Sequence, residues 1–288
     1  MIGTSRSGIS RTAERSLLVA PDHAVANMVE LLDIEQLDTN LYRGYNESRA
    51  VERPALFGGQ VAAQALRAAA LTVPEDRLPH SLHGYFLRPG RAEHPVILQV
   101  ARDRDGRSFS ARHVVALQRG EVIFSMSASF HQSADGPEFA GDREIASTPP
   151  EDLPERAARS PFDTMLRVRP FPPIRPYDAD EWPVPARMWA RVVGSLPDDP
   201  VVHACALTYL SDVGSGFADG TVPGAPRGGP TLDHAVWFHH PIHVDEWVLL
   251  DSWPLKAGGA RGLYAGSIHD RSGRLGAVLT QEILFRKR

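Results

Sequence analysis

The chain has 288 residues, and its 31 basic and 35 acidic side chains give a formal charge of -4 at pH 7, so no global field favours nucleic acid or an anionic membrane. A single cysteine, Cys205, excludes an internal disulfide framework and a cysteine-rich zinc site. No stretch reaches the roughly 20 apolar residues of a bilayer-spanning helix, and the opening MIGTSRSGISRTAERS lacks the apolar core of a secretion signal. These features predict a cytoplasmic protein without nucleic-acid or membrane partners.

Residues 1–21 read as a flexible N-terminal tail. From Ala24 to Leu37 apolar residues recur at three and four (Val25, Met28, Val29, Leu31, Leu32), the pattern of a short amphipathic helix. In PALFGGQVAAQALRAAALTV the pair Gly58-Gly59 permits a tight approach, and the alanine-rich run predicts a helix from near Gln60, small-residue on every side as a buried one would be. Next come HSLHGYFLRPG, PVILQVARDRDG, RSFSARHVVALQRG and EVIFSMSASFH, short, β-branched or aromatic, and punctuated by Gly or Asp-Gly, which predicts antiparallel strands. Within the last of these, Phe124, Met126, Ala128 and Phe130 share one face, and Ser125, Ser127 and Ser129 the other.

Residues 133–185 turn dense in proline and charge, where neither helix nor central strand is favoured, and read as a connection. A strand at Ala186 to Val193 follows, then a second buried helix from Val201 to Val213 that Gly214 and Gly216 stop. TLDHAVWFHHP, EWVLLDSWPL, ARGLYAGSIHD and RLGAVLTQEILFR repeat the strand pattern. The expected units are therefore 22–132 and 186–288, and the periodicity supports an α+β class with helix on sheet.

The halves are related by a repeat. Pro89 and Pro241 differ by 152, Tyr85-Phe86 and Trp237-Phe238 by 152, Gly120 and Gly273 by 153, Arg107 and Arg261 by 154, and Phe130 and Phe285 by 155. A duplicated unit keeps its scaffold while its chemistry drifts, so the differences between copies point to function. The second copy carries Asp212, Thr231 and Gln281, where the same offsets lead to Gln60, His80 and Met126 in the first.

Each of the three has a physical reason to matter. Gln281 lies in an apolar row with Leu279, Ile283 and Phe285, and a buried amide without partners costs about 1 to 3 kcal/mol, so something polar must face it. Asp212 ends the second apolar helix, where burial and the negative end of the helix dipole would both raise its pKa and make it a plausible base. Thr231 opens the following strand with a hydroxyl that can donate to a carboxylate or hold a water. Singly, such residues are commonly a backbone-satisfied core amide, a capping carboxylate and a strand threonine.

At these residues the sequence resembles the acyl-CoA thioesterase II family, through LFGGQVAAQAL, HSLHGYFLRPG, DGRSFSARHV, FSMSASFH, YLSD, TLDHAVWFH and TQEILFR in that order. The resemblance implies a tandem (double) hotdog, two antiparallel sheets each wrapping a central helix. It also implies hydrolysis of fatty acyl-CoA without a covalent intermediate, with Asp212 as general base and Thr231 and Gln281 orienting the water. Gly59, Gln60, Arg88, Arg107 and Ser108 are the expected substrate contacts, acyl-CoA the expected partner, and no cofactor or metal is called for. The loop DSWPLKAGGARG departs from the serine- or threonine-rich loop usual in that family and bears on acyl-chain preference. A homo-oligomer, dimer or tetramer, stays open because hotdog sheets often pair edge to edge.

Other assignments have less behind them. His83, His131, His234, His239 and His240 show no close-spaced ligand signature, and Cys205 on a buried helix reads as a small apolar filler. Arg88, Arg91, Arg107 and Arg112 could meet phosphates, though lone arginines are commonly solvated. No GxSxG elbow is present. A non-catalytic acyl-CoA-binding protein stays open as an alternative, as does an enoyl-CoA hydratase using Asp233 and His234, although strand neighbours point to opposite faces.

Overall fold

Glycines that recur in the two copies lie in tight hairpins: Gly120 (φ +82°) joins β5 (Phe109–Gln118) to β6 (Glu121–Gln132), and Gly273 (φ +89°) lies between β11 (Arg261–His269) and β12 (Leu275–Leu284). Positive φ is free of steric cost only for glycine, which explains why this landmark survives in both halves. The computed structural model describes residues 25–46, 55–139, 148–156, 164–172, 186–214 and 229–285. The predicted tail, Gly216 and most of the proline-rich connection lie outside these residues.

The other strands are β1 (Glu35–Asp38), β2 (Leu41–Gly44), β3 (Arg77–Phe86), β4 (Val96–Asp105), β7 (Leu166–Pro170), β8 (Ala186–Val192), β9 (Thr231–Phe238) and β10 (Val248–Gly258). All pair antiparallel in one twelve-stranded sheet of order β1-β2-β4-β5-β6-β3-β9-β12-β11-β10-β8-β7. The expected two sheets are thus one continuous sheet, because β3 and β9 pair across the middle. In that pairing His83 faces Ala235, residues 152 apart in sequence, so the repeat period itself places a local two-fold axis at the seam.

From this axis the strand-by-strand counterparts follow, and all three expected ones need correction. Thr231 pairs with Ile283 in the row that matches Pro79 with Phe130, so Pro79 rather than His80 is its counterpart. Gln281 pairs with His234 and Tyr264, and the matching row in the first half is Ala128 with Leu82 and Arg112. Ala128 rather than Met126 is therefore the partner position of Gln281. Gln60 is not the counterpart of Asp212 either: it lies in the first turn of its helix, whereas Asp212 follows the last turn of the other.

Helix α2 (Gly58–Ala70) is buried along almost its whole length, as its alanine content requires. Helix α3 (Pro200–Ser211) begins one residue earlier than the apolar run suggests, because the Asp199 side chain accepts from the Val201 N–H at 2.8 Å and Pro200 fits the first helical position. The two helices pack on one another and on the inner face of the sheet. There β6 buries Phe124, Met126, Ala128 and Phe130 and turns its serines outward, as the alternation predicts.

Two further expectations change. The helix anticipated from Ala24 to Leu37 is only α1 (Met28–Leu32), capped by the Asn27 side chain, and the chain then turns extended. Pairing of β2 with β4 draws residues 35–44 into a hairpin, so tertiary pairing overrides the local helical spacing. The segment read as a connection contains β7, which pairs with β8 at the outer margin of the sheet, an edge position where the ladder tolerates Pro170. No helix among the described residues is long and apolar enough to cross a membrane.

Candidate active site

The start of α2 meets the end of α3, and the two glycines make that possible. A Cβ on Gly59 would lie 2.4 Å from the Tyr209 carbonyl oxygen, and one on Gly58 would lie 2.7 Å from Asp212 Oδ2. Phe57, the N-cap of α2, has no side-chain oxygen to satisfy the first-turn amides. Asp212 supplies it from the other helix: Gly59 N–H donates to Asp212 Oδ2 at 2.8 Å.

The remaining partners of the carboxylate come from the sheet. Gln281 Nε2 donates to Asp212 Oδ1 at 2.7 Å and to Thr231 Oγ1 at 2.8 Å, and Thr231 Oγ1 donates to Asp212 Oδ1 at 3.1 Å. Alternation on β12 carries Gln281 inward between Leu279 and Ile283, and Thr231 opens β9 beside it. Asp212, Thr231 and Gln281, nominated from three separate segments, therefore form one hydrogen-bonded cluster.

Burial raises the Asp212 carboxyl from 3.8 to about 6, against the lowering effects of Gln281, Thr231 and the Gly59 amide. The dipole expectation is corrected here: α3 presents its negative end to Asp212, but α2 presents its positive end, so desolvation is what carries the rise. Burial pushes the phenol of Tyr264, which the sequence did not single out, well above 10.0, and the nearby Asp212 charge adds to the rise.

The expected substrate contacts are not all brought together. Gly59 is in the cluster, its N–H committed to the carboxylate. Gln60 turns away and donates to Asn46 Oδ1 at 2.8 Å. Arg88 lies just beyond Phe86, whose ring would touch a Cβ on Gly58, so it is at the right end of α2; it donates to the Val122 carbonyl and pairs with Glu121 at 3.6 Å. Arg107 and Ser108 are in the β4–β5 turn, where Arg77 donates to the Arg107 carbonyl near the far end of α2, and a thirteen-residue helix spans about 20 Å. Arg112 is fully buried and structural, donating to Thr72, Arg104, Ala111 and Asp105.

Asp233 and His234 part company as strand neighbours should. Asp233 faces His83 at 3.6 Å on the outer side of the sheet, while His234 is buried on the inner side. The start of α3 near Val201 is at the other end of that helix from Asp212 and cannot serve as its oxyanion site. The Cys205 thiol is buried and pushed up to about 12, which suits a filler. Among the described residues His203, His243 and Asp245 bring potential ligand atoms within 4.8 Å of each other. Val244 N–H donates to His203 Nδ1 at 3.3 Å, which leaves the ring proton on Nε2, and Asp245 accepts from Leu196 N–H. His203 Nδ1 is thus taken, while its Nε2 is buried with no hydrogen-bond partner.

A desolvated carboxylate held by an amide, a hydroxyl and a backbone N–H, inside an antiparallel sheet that wraps its helices, is a candidate general base. Residues 48–131 match the acyl-CoA thioesterase N-terminal domain and residues 141–285 the acyl-CoA thioesterase C-terminal domain. The chain is 35% identical to acyl-CoA thioesterase 2 of Haemophilus influenzae over 90% of its own length and 97% of the relative. It is 34% identical to human acyl-coenzyme A thioesterase 8, covering 89% of this chain and 88% of that one. Among solved structures, acyl-CoA thioesterase II TesB2 of Mycobacterium marinum superposes with a TM-score of 0.77 at 41% identity, over 91% of this chain and 98% of that chain. A hotdog-fold protein of Alicyclobacillus acidocaldarius, 21% identical with a TM-score of 0.77 over 91% of this chain and 98% of that one, shares the fold. The chain belongs to the acyl-CoA thioesterase family and is, with it, a thioester hydrolase of hotdog fold.

Proposed function

We propose that the protein hydrolyses fatty acyl-CoA to a free acid and CoA, with Asp212 as general base and Thr231 and Gln281 as the groups that orient the attacking water. The observation that carries this reading is the convergence of Gln281, Thr231 and the Gly59 amide on one buried carboxylate whose pKa stands at about 6. Such a group is ionised in about nine of ten molecules at pH 7 and is a stronger base than an exposed aspartate.

In the proposed reaction a water bound to Asp212 gives up a proton to the carboxylate as its oxygen adds to the thioester carbonyl carbon. Collapse of the tetrahedral adduct breaks the C–S bond, and the proton passes from Asp212 to the departing thiolate. The first turn of α2 is the source of oxyanion donors: with Gly59 engaged by Asp212, the Gly58 and Gln60 amides remain, and first-turn amides have no acceptor within their helix. Of the arginines considered for the nucleotide, two are on this side of the molecule: Arg88, half-exposed at the α2 end, and Arg91, whose backbone pairs with Ala55 just before α2. We read the architecture as a double hotdog, units 22–132 and 186–288 joined at the β3–β9 seam, which the mirrored strand order supports.

Free-thiol detection across a panel of acyl-CoA chain lengths tests this directly. Wild type should release CoA, and Asp212→Ala should lose that release while keeping its fold by circular dichroism. Undiminished thiol release from Asp212→Ala would end the assignment.

A further inference from the structure

An amide can assist Asp212 only in one of its two orientations, and something must choose it. With Nε2 toward Asp212 and Thr231, Gln281 donates; flipped, it would set Oε1 against a carboxylate oxygen. In the chosen orientation Gln281 Oε1 is buried with no hydrogen-bond partner. Facing it from the neighbouring strand is His234, its register partner on β9 and, like Gln281, 1% exposed. His234 Nδ1 is likewise buried and unpartnered, while Nε2 is 2.7 Å from Ser211 Oγ. Gln281 is near enough to raise the ring's pKa partway against burial, an effect an acceptor has on a ring N–H.

Resting on the general-base reading above, we infer that His234 is a positioning residue: as the neutral Nδ1–H tautomer it donates to Gln281 Oε1 and thereby fixes the amide with Nε2 toward Asp212. Of the two neutral tautomers only this one fills both vacancies. Nδ1–H meets the orphan oxygen, and Nε2 accepts from Ser211, whose hydroxyl turns to it from the Thr208 carbonyl 2.9 Å away. The Nε2–H form would set two bare acceptors against each other in a dry interior. Burial keeps the ring uncharged, its pKa pushed down to about 4.

The arc closes on itself. Ser211 immediately precedes Asp212, so Ser211, His234, Gln281 and Asp212 form a ring of contacts from the end of α3 through two strands and back. In the first half the matching pair is Leu82 and Ala128, so the polar pair appears only in the copy that holds Asp212. An alternation that turns position 234 inward needs an apolar residue there for packing alone; a histidine adds a directed donor.

The test compares His234→Phe, which keeps a ring without a donor, with His234→Asn, whose side-chain N–H falls near the Nδ1 position. His234→Phe should lower kcat on the order of 10-fold to 100-fold with KM nearly unchanged, as loss of a supporting hydrogen bond does elsewhere. His234→Asn should recover most of that loss. In the His234→Phe background, Gln281→Ala should cost much less than it does alone, because the amide is already misdirected. Independently of any variant's folding, the 15N shifts of wild-type His234 should report Nδ1–H. An Nε2–H tautomer, or full kcat in folded His234→Phe alongside an inactive Asp212→Ala, overturns this inference and leaves the general-base reading standing. An active Asp212→Ala would overturn both.

Discussion

Replacing Asp212 by Asn separates what the carboxylate does for catalysis from what it costs the fold. Burial raises its folded pKa from 3.8 to about 6, which corresponds to about 3 kcal/mol. Because the folded value lies above the unfolded one, the folded state holds the proton more tightly. The associated stability is fully present below about 3.8, declines as pH rises, and is gone above about 6. At pH 7 the wild type therefore bears the whole penalty of a desolvated charge. Asp212→Asn removes it but points an amide N–H at the Gly59 N–H now bonded to Oδ2, a mismatch worth about 1 to 3 kcal/mol. The expected balance at pH 7 is a variant between as stable as wild type and about 2 kcal/mol more stable, yet inactive, with the balance turning against it near pH 4. Urea melts at the two pH values measure this. In parallel, kcat/KM of wild type should follow one ionisation near pH 6, falling about tenfold by pH 5. A profile flat from pH 5 to 8, together with an Asp212→Asn variant equally destabilised at both pH values, would refute a desolvated carboxylate as base.

Thr231→Val keeps shape and removes one donor from Asp212, so kcat should fall roughly tenfold to a hundredfold and the kinetic pKa should move above 6, read from the pH profile. Gln281→Ala removes the donor to both neighbours and should shift that pKa further in the same direction. Gly59→Ala must drive a methyl against the Tyr209 carbonyl; backbone cannot yield as a side chain end does, so a loss of about 2 kcal/mol or more is expected by chemical denaturation, with activity reduced in the fraction that folds. Arg112→Met should lower stability by about 1 to 3 kcal/mol, since it leaves the buried Thr72 hydroxyl and carbonyl without their donor, while leaving kcat per folded molecule unchanged.

The hydrogen-bonded trio proposed as catalytic was legible in the sequence because each member breaks a local rule: a carboxylate at the end of an apolar helix, an amide inside an apolar strand row, and a difference between two copies of one unit. The strands were legible too, since alternation such as that of Phe124, Met126, Ala128 and Phe130 is a purely local signal. Residue equivalence between the copies was less so, because the strands keep an offset of 152 to 153 while the helices start 142 residues apart, Gly58 against Pro200; only the sheet register shows that Gln281 matches Ala128. The misplaced Arg107 and Ser108 share a cause with this. Their turn is the first-half copy of the turn near the site, and sequence alone cannot say which copy's turn lies beside Asp212. The role of Gly59 was half visible: a close approach was expected, but that it would deliver an N–H to the carboxylate follows only from the end-to-end meeting of two helices.

The same geometry bears on why the proposed site lies at the end of α3 and not at the matching end of α2. Around the two-fold seam, the position of Tyr264 beside Asp212 matches Arg112, whose buried guanidinium ties the end of α2 to β4 and to Asp105. A fully buried cation needs those acceptors, so this end of α2 is held by a structural network. The far helix differs as well: α2 begins at two glycines that let a carboxylate approach its free amides, whereas α3 begins at Asp199-Pro200, which caps itself and offers one N–H fewer. The end of α2 is thus tied to Arg112, and the Val201 N–H at the start of α3 is taken by Asp199. In the proposed site α2 gives its N-terminus to a cluster that α3, β9 and β12 complete, so both halves contribute to it.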